Sequence, residues 1–302
     1  MRYERVVVGD GSDAVRAAVA ATREVSRIAL ISTSDGVHSR ITSLILRQSA
    51  ERLIREGAIS RSALRRDAYA VARSQIATDH AELARLGIDR FTGNVQFINA
   101  STLALSLADE CEPVEISADQ MILACGTEPA GLGSFPFDGR QILSPEQILQ
   151  CDNLPKSMIV IGAGSTGLDH AIILAMLGIE VTVVDEQTNL FQLCGGLIGG
   201  PMITLQSLDI ALRLGEEVIG IERRQGDDRV SVRLASGRRM TTGAVLVCCG
   251  KVGRTAGLNL EAAGVGLDEH GRIWCDANGT TWVPTISAVG DVIGFRVGAL
   301  AG

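Results

Sequence analysis

The sequence predicts an α/β fold, because one strand–turn–helix–strand pattern occurs twice along the chain. Residues 6–32 have the sequence VVVGDGSDAVRAAVAATREVSRIALIS, and residues 159–185 have the sequence IVIGAGSTGLDHAIILAMLGIEVTVVD. In each copy a β-branched run ends in Gly-x-Gly, an Ala- and Leu-rich helical pattern follows, and a second β-branched run closes the unit. A βαβ unit of about thirty residues has this form. Two copies with equal internal spacing predict two Rossmann-like dinucleotide-binding domains.

The patterns between and after the two copies predict the remaining elements. Residues 41–86 carry Leu, Ile and Ala at three- and four-residue spacing and predict helices, whereas residues 93–124 predict short strands around turns. Four of the seven prolines follow, in a part of the chain that we interpret as a connection between domains, and Ser144, Pro145 and Gln147 predict a helix start there. After the second copy we expect a helix near 203–214, a hairpin over 216–240, a strand over 244–249 and a strand from about 286 into Gly290 and Asp291.

Composition excludes several classes of protein. The 302 residues suit about two domains, and 28 Lys and Arg against 35 Asp and Glu give a net charge of −7. This charge and an aromatic content of 3% argue against a nucleic-acid partner. The sequence contains no charge-free apolar run of about 18 residues, so we expect no membrane partner. The seven cysteines form no CxxC pair and no Cys/His cluster, which predicts reduced thiols, a cytoplasmic location and no metal site.

The loop of the second copy has the complete dinucleotide pattern. Gly162 permits the tight turn, Gly164 lets the backbone approach a pyrophosphate, and Gly167 lets the helix pack close to the strand. Asp185 ends the second strand, where a carboxylate accepts hydrogen bonds from a ribose diol and repels a 2′-phosphate. The pattern therefore predicts NAD(H) rather than NADP(H). The alternative is a domain of the same shape whose loop stays empty.

The loop of the first copy is less complete. Gly9 and Gly11 hold the turn positions, and Ala14 replaces the third glycine, which the pattern permits. Ser32 stands where Asp185 stands in the second copy, and a hydroxyl makes a weaker bond to a ribose than a carboxylate does.

Two acidic residues also distinguish this first loop. Asp10 and Asp13 place carboxylates where we expect them to compete with a pyrophosphate for the loop amides and the helix dipole. The alternative for the first copy is therefore a structural βαβ unit with weak or no nucleotide binding.

Three further features are better explained by packing than by chemistry. Cys248 and Cys249 are adjacent on an apolar strand, so their side chains point to opposite faces, and we expect both in the core rather than in a redox pair. His170 follows the second loop, and we interpret it as a packing or surface residue because the sequence shows no acid–base partner for it. The glycine-rich stretch 194–200 is a candidate loop beside the nicotinamide, with no assigned role.

Five segments together resemble the FAD- and NAD(P)-binding core of the pyridine nucleotide-disulfide oxidoreductase family and, within it, the soluble pyridine nucleotide transhydrogenases. The resemblance covers essentially the whole chain and implies FAD at the first loop and NAD at the second. It also implies that Gly126 and Thr127, in MILACGTEP, and Gly290 and Asp291 contribute to the cofactor sites; the latter two would meet the ribityl and phosphate region of the flavin. The matching segments are VVVGDGSDA, MILACGTEP, IGAGSTGLDHA, CCGKVGRTAGLNLEAAGVGLDEHGRI and ISAVGDVIG.

The chain also departs from this family at several positions. The family carries a cysteine pair shortly after the first βαβ unit, whereas the first cysteine here is Cys111. In ITSLILR, which is similar to IPSKALR, Leu44 replaces a lysine near the flavin, and Asp169 replaces the glutamate that pairs with that lysine. Glu128 replaces a basic residue. The resemblance leads us to expect that the family's C-terminal interface domain is absent and that any homodimer is therefore weakened.

The resemblance implies that the FAD-binding domain spans 1–155 and 285–302, with the NAD-binding domain, 156–284, inserted into it. We expect a flavoprotein oxidoreductase that passes hydride between NAD(P)H and FAD, and then electrons to a second nicotinamide nucleotide, a quinone, a dye or oxygen. The sequence assigns no catalytic acid or base. Two alternatives stay open: a degenerate dinucleotide-binding protein that binds NAD(H) or nothing and has no redox turnover, and an ordinary NAD dehydrogenase with one nucleotide domain.

Overall fold

The structure, a computed structural model, describes most of the chain in seven stretches. They are residues 1–34, 41–108, 112–130, 137–151, 154–188, 206–223 and 228–297. None of the helices in these stretches has the length and apolar character needed to cross a membrane.

Contacts within the chain group its residues into two compact units. The first unit consists of Met1–Arg40, Ala72–Glu128 and Lys251–Gly302, and the second unit consists of Ile41–Val71 and Pro129–Gly250. Residues 129–250 are thus inserted in sequence between two parts of the first unit.

Among the described residues, a helix lies between two strands in each of the two βαβ units, residues 2–32 and 157–185, and strands predominate in the rest of the chain. The α-helices are α1 (Ser12–Ala21), α2 (Ser43–Arg55), α3 (Arg61–Arg85) and α4 (Ser165–Met176). Short 3₁₀ helices span Pro145–Gln147, Leu260–Ala263 and Gly290–Val292. The strands are β1 (Arg2–Val8), β2 (Ile28–Ser32), β3 (Asp89–Asn99), β4 (Thr102–Leu107), β5 (Val114–Leu123), β6 (Thr127–Pro129), β7 (Ile142–Leu143), β8 (Ser157–Ile161), β9 (Glu180–Asp185), β10 (Ala211–Leu214), β11 (Val218–Arg223), β12 (Val230–Leu234), β13 (Arg239–Thr242), β14 (Ala244–Val247), β15 (Lys251–Gly253), β16 (Ile273–Asp276), β17 (Ile286–Ala288) and β18 (Ile293–Val297).

A parallel sheet in the order β3–β2–β1–β5–β17 forms the centre of the first unit. Beyond this sheet, β3 and β5 continue and pair antiparallel with β4. Both faces of β1 are buried: Val6 and Val8 belong to an apolar cluster with Met121, whereas Val7 belongs to a second cluster with Ala18 of α1. Because side chains alternate between the faces of a strand, burial on both faces accounts for the continuous apolar run in this strand.

The second unit has a parallel sheet of its own, in the order β10–β9–β8–β14–β7. A separate antiparallel sheet contains β11, β12 and β13. On one face of β8, Val160 packs in a cluster with Leu168 of α4; on the other face, Ile159 and Ile161 pack in a cluster with Val232 of β12. A helix therefore covers one face of this sheet and a strand layer covers the other.

Four strands of the two parallel sheets correspond in order, β3–β2–β1–β5 in the first unit and β10–β9–β8–β14 in the second; the fifth strand differs, because β17 follows the other four in sequence whereas β7 precedes them. The hydrogen bonds at the end of the first strand agree as well, since the Gly9 N–H donates to the Ile31 carbonyl over 2.9 Å and the Gly162 N–H donates to the Val184 carbonyl over 2.8 Å. In open sheets of this kind, ligands bind outside the carboxyl end of the strand where the order reverses, which is β1 in one unit and β8 in the other. The predicted α/β fold with two Rossmann-like units, the second inserted into the first, is confirmed.

The boundaries between the compact units, near residues 129 and 250, differ from the predicted domain boundaries near 155 and 285. Residues of β7 pair with β14 and so extend the sheet of the second unit, although they precede residue 155. Leu258, Leu260 and Ile273 lie in the main apolar cluster of the first unit, although they precede residue 285. Short strands and 3₁₀ turns carry no strong periodicity, so their packing partners were not visible in the sequence.

Two predicted elements differ in detail from the structure. The expected helix near 203–214 is wrong at its end, because Ala211–Leu214 is the strand β10, which pairs parallel with β9. The expected helix start at Ser144 is confirmed as a capping box, in which the Ser144 N–H is bonded to the side chain of Gln147, although the helix is one 3₁₀ turn. The helical prediction for 41–86 is confirmed by α2 and α3, and the hairpin prediction by β11 and β12.

Candidate functional site

The loop after β8 has the backbone geometry that the second copy of the pattern predicts. Gly162 has φ +102°, and a Cβ on it would lie 2.9 Å from the backbone nitrogen of Cys249, so the neighbouring strand end leaves no room for a side chain. A Cβ on Gly167 would overlap the carbonyl oxygen of Gly162. A Cβ on Gly164, in contrast, would meet nothing within 4 Å. Glycine at 162 and 167 thus serves close packing, whereas Gly164 borders open space that a pyrophosphate could approach.

The amino end of α4 offers amide donors at this open space. Among the described residues, no side chain caps the helix at Gly164, and its first turn contains no acidic residue. Backbone N–H groups and the positive end of the helix dipole at such a position favour an anion. The residues present in the second unit therefore fit a dinucleotide.

Asp185 connects this loop to the end of β9. Its Oδ2 accepts a hydrogen bond from the Ala163 N–H over 2.6 Å, and its Oδ1 accepts one from the Gln187 N–H over 2.8 Å. An ionised carboxylate has about four acceptor positions, so two stay available after these bonds. Both oxygens are held at the edge of the sheet where a ribose diol of a dinucleotide would lie.

Asp169 has a cationic partner that the motif resemblance did not reveal. Its carboxylate accepts from the Ser43 Oγ over 2.8 Å and from the Arg47 Nη1 over 2.9 Å, and its side chain is only 16% exposed. Leu44, which replaces the family's lysine, is 49% exposed. The family's lysine is absent from position 44, but Asp169 still has a cationic partner, because Arg47 lies one turn farther along α2 and supplies the charge. No sequence signal could link residues that lie so far apart along the chain.

The loop after β1 repeats the same backbone geometry. A Cβ on Gly9 would overlap the carbonyl oxygen of Ala124, at the end of the neighbouring strand, and a Cβ on Gly11 would meet nothing within 4 Å. Ala14, which stands where Gly167 stands in the second unit, is fully buried against the strands. Among the described residues, no side chain caps the start of α1. The backbone of the first loop therefore also fits a dinucleotide.

The acidic side chains of the first loop do not lie as expected. The Asp10 carboxylate turns toward the end of β2, where Oδ1 accepts from the Thr33 and Ser34 N–H groups over 2.6 and 3.3 Å, and Oδ2 accepts from their hydroxyls over 2.9 and 3.2 Å. The expected competition of Asp10 for the amides of α1 is therefore wrong. Ser32 donates from its hydroxyl to the Gly9 carbonyl over 3.4 Å, so it too is directed at the loop.

Asp13 is the acidic residue that stays beside the start of α1. It forms an ion pair with Arg16, and its other oxygen lies so close to Gly290 that a Cβ there would overlap it. Gly290 has φ +79° and begins a short 3₁₀ helix, so both its conformation and this contact require glycine. Asp13 thus places negative charge where a pyrophosphate would come.

The other predicted residues of the first site lie around the ends of β5 and β17. Asp291 is 70% exposed, with one carboxylate oxygen 3.8 Å from Lys251 Nζ. Gly126 accepts a hydrogen bond through its carbonyl from the Arg254 N–H over 3.1 Å, and Thr127 begins β6.

Arg254 also places a basic side chain beside Glu128, the acidic replacement. Its side chain lies 3.9 Å from Glu128, which stands where the family has a basic residue. The structure therefore keeps a basic side chain here, from a different part of the sequence.

His170 and the cysteines Cys125, Cys248 and Cys249 fit packing roles. His170 is 3% exposed, its Nδ1 lies 2.8 Å from the Thr166 carbonyl, and burial lowers its pKa, so the ring is neutral at pH 7. Cys248 and Cys249 follow the end of β14, which is shorter than the predicted strand; they pack in clusters on opposite faces of the sheet, as predicted, but both are half-buried rather than fully buried. Burial raises the pKa of Cys249, and it raises that of Cys125 to about 12, so both thiols stay protonated at pH 7. Cys111 and the stretch 194–200 lie outside the described residues.

Comparison with known proteins identifies the relationship that this geometry suggests. The family model described as pyridine nucleotide-disulphide oxidoreductase matches residues 3–301. The chain belongs to this family. The resemblance inferred from the motifs is therefore confirmed.

Among relatives in the pyridine nucleotide-disulphide oxidoreductase family, two soluble pyridine nucleotide transhydrogenases are similar to this chain. The one from Mycobacterium bovis (strain BCG / Pasteur 1173P2) is 34% identical over 215 residues, which cover 71% of this chain and 46% of the relative. The one from Colwellia psychrerythraea is 28% identical over 312 residues, which cover 97% of this chain and 66% of the relative. The matched region thus spans from about half to about two thirds of the length of these relatives.

Solved structures agree with the fold. The HOCl-induced flavoprotein disulfide reductase RclA from Escherichia coli matches with a TM-score of 0.78 and 21% identity, over 97% of this chain and 67% of that chain. LpdA from Mycobacterium tuberculosis matches with a TM-score of 0.78 and 25% identity, over 96% of this chain and 68% of that chain. The first likeness, at its low identity, concerns the fold alone.

Proposed function

We propose that this chain is a flavoprotein oxidoreductase that binds NADH at the loop of its second unit and FAD at the loop of its first unit. The observation that carries the proposal is the second loop. There Asp185, the open position at Gly164 and the uncapped start of α4 lie at one strand end. Membership of the pyridine nucleotide-disulphide oxidoreductase family supports the redox part of the proposal.

NADH is the proposed nucleotide of the second unit because of the charge at Asp185. Its carboxylate is held by the Ala163 and Gln187 amides and keeps acceptor positions for a ribose diol. The 2′-phosphate of NADPH would bring a second negative charge to the same place. This repulsion, rather than a contact with the nicotinamide, is the proposed basis of selectivity.

FAD is the proposed cofactor of the first unit because the backbone there repeats that of the second. Gly9, Gly11, Ala14, Gly126, Thr127, Gly290 and Asp291 would hold it. When bound, FAD supplies the chemistry of accepting hydride from a nicotinamide and releasing electrons to an acceptor. The protein's own contribution would be to orient the two cofactors and to exclude water.

A second nicotinamide nucleotide is the proposed electron acceptor. The names of the two transhydrogenase relatives support this choice. The first cysteine of the sequence is Cys111, so the segment just after the first βαβ unit cannot supply a disulfide. Quinones, dyes and oxygen are acceptors to compare in the same assay.

A flavin spectrum before and after anaerobic addition of NADH tests the proposal. We expect a yellow preparation, or one that becomes yellow on incubation with FAD, whose flavin absorbance is bleached by NADH. A colourless protein that takes up no FAD would refute the flavoenzyme.

The charge of Asp13 beside Gly290 favours one alternative, a dinucleotide-binding protein without redox turnover. NADH binding by a protein that takes up no FAD would support this alternative. Turnover of a hydroxy or carbonyl substrate by flavin-free protein would instead point to an ordinary NAD dehydrogenase.

A further inference from the structure

In both units one carboxylate bridges the loop after the first strand and the end of the second strand. In the second unit Asp185, on the strand end, reaches back to the amide of Ala163 in the loop. In the first unit the direction is reversed: Asp10, in the loop, reaches forward to the amide of Thr33 beyond the strand end. Both of these hydrogen bonds are 2.6 Å long.

The positions correspond residue by residue. Asp10 lies between Gly9 and Gly11, as Ala163 lies between Gly162 and Gly164. Ser32 closes β2 at the position where Asp185 closes β9. The acidic residue is therefore at the strand end in the second unit and in the loop in the first unit, and in both units its carboxylate connects the loop to the strand end.

The partners of Asp10 also resemble a ribose. Its Oδ2 accepts hydrogen bonds from two neighbouring hydroxyls, those of Thr33 and Ser34, over 2.9 and 3.2 Å. A ribose diol presents two adjacent hydroxyls to a carboxylate in the same way. Thr33 and Ser34 are exposed, so these hydroxyls can turn away to water when a ligand arrives.

We propose that Asp10 is the ribose acceptor of the first dinucleotide site and that it takes over the role lost by Ser32. The inference rests on the proposed binding of FAD in that unit. Through Oδ2, Asp10 would accept the hydroxyls of the adenosine ribose, while Oδ1 stays bonded to the Thr33 and Ser34 amides. Asp10 is then a specificity-determining residue that selects a ribose over a deoxyribose.

The opposite role, in which Asp10 only repels a pyrophosphate, makes an opposite prediction. Its carboxylate already accepts four hydrogen bonds from Thr33 and Ser34, which follow β2. Neutralising Asp10 should tighten FAD binding if it repels the ligand, and should weaken FAD binding if it accepts the ribose. The sign of the change decides between the two roles.

The test titrates the whole protein, freed of flavin, with FAD and with an FAD analogue that lacks the 2′-hydroxyl of the adenosine ribose. Excess NAD⁺ occupies the second site throughout. We expect wild-type protein to prefer FAD by about tenfold, the scale of a lost hydrogen bond to a charged acceptor. Asp10→Asn, which keeps one oxygen for the Thr33 amide, should bind FAD about tenfold more weakly and lose the preference.

Two further variants distinguish recognition of the ribose by Asp10 from a role of Asp10 in holding the loop in place. Thr33→Val combined with Ser34→Ala removes the competing hydroxyls and should bind FAD as tightly as wild type or more tightly, with the preference kept. Asp119→Asn, which neutralises an exposed carboxylate of the same unit, should change neither affinity. If Asp10→Asn does not fold, Asp10→Ser, which also removes the charge, takes its place in the same titrations.

Three results would overturn the proposal while leaving the flavoenzyme intact: equal affinity of wild type for the two flavins, tighter FAD binding by Asp10→Asn, or a loss of FAD in the double variant as large as in Asp10→Asn. Failure of wild-type protein to take up any FAD would instead refute the proposed function itself, and the role of Asp10 with it.

Discussion

The two units have the same backbone arrangement at their loops but opposite arrangements of charge. Each has a parallel sheet in which four strands correspond in order, a tight glycine turn against the neighbouring strand end and an uncapped helix start. In the second unit the first turn of the helix carries no acidic residue, whereas in the first unit Asp13 stands there. The comparison teaches that one backbone geometry can carry different arrangements of carboxylates, and we propose that these carboxylates decide which dinucleotide each loop accepts.

The largest expected effect is at the third glycine position of the pattern, which is Gly167 in the second unit and Ala14 in the first. Gly167→Ala should destabilise the protein by about 1–3 kcal/mol, because its Cβ would overlap the Gly162 carbonyl and force the helix away from the turn. Loss of NADH binding should accompany this change. The matched change in the first unit, Ala14→Gly, should cost about 1 kcal/mol through helix propensity. Urea unfolding of both variants measures the difference, and equal effects would contradict the comparison.

The second prediction concerns the acid that only the second unit carries on its strand end. Asp185→Ala should weaken NADH binding by about 1–3 kcal/mol, because hydrogen bonds to a charged acceptor are lost. It should also remove the preference for NADH over NADPH. Titration calorimetry with both nucleotides measures this, with Glu180→Gln, an exposed carboxylate of the same strand, as the control. Better binding of NADPH than of NADH by wild-type protein would refute the role of Asp185.

The third prediction concerns a position at which the units carry opposite charges. Asp169 pairs with Arg47, whereas the corresponding residue of the first unit, Arg16, pairs with Asp13. Arg47→Met should lower the free energy of unfolding by about 1 kcal/mol or more, because Asp169 is largely buried and loses its charged partner. Arg16→Met, at an exposed pair, should change stability by less than about 1 kcal/mol. Similar losses in the two variants would show that burial does not distinguish these pairs.

The smallest expected effect is a pH dependence that both units share. Desolvation raises the pKa of Asp138 and of Asp268, but hydrogen bonds from backbone amides and a nearby arginine outweigh it, so both folded-state pKa values lie below the usual range. The stability that these carboxylates contribute is therefore present above the pKa of the unfolded chain, about 4, and is lost as pH falls through the folded-state pKa.

Asn variants at these two positions measure this contribution. Asp138→Asn and Asp268→Asn should each lower Tm at pH 7 and lower it less at pH 3, because below about pH 4 these carboxyls are protonated in the unfolded chain and part of the stability they contribute is lost. A difference in Tm that stays constant between pH 3 and pH 7 would show that ionisation of these carboxylates does not stabilise the fold.

Much of the fold could be predicted because the two βαβ copies carry strong local signals. Their strands are buried on both faces, so they appear as continuous apolar runs, and their turns require glycine at Gly9 and Gly162. The error at Ala211–Leu214 has a physical reason as well. A four-residue edge strand with alternating exposure has too few residues to distinguish a strand period from a helix period.

The sequence by itself determined the α/β class, the duplicated unit, the family and the residues of both loops, because these depend on spacings within about thirty residues. Only the tertiary structure decided that Asp10 faces Thr33, that Asp169 has Arg47 as its cation and that Arg254 lies beside Glu128. A carboxylate's partner depends on its side-chain direction and on residues brought near by folding. These directions follow from packing, which no local pattern encodes.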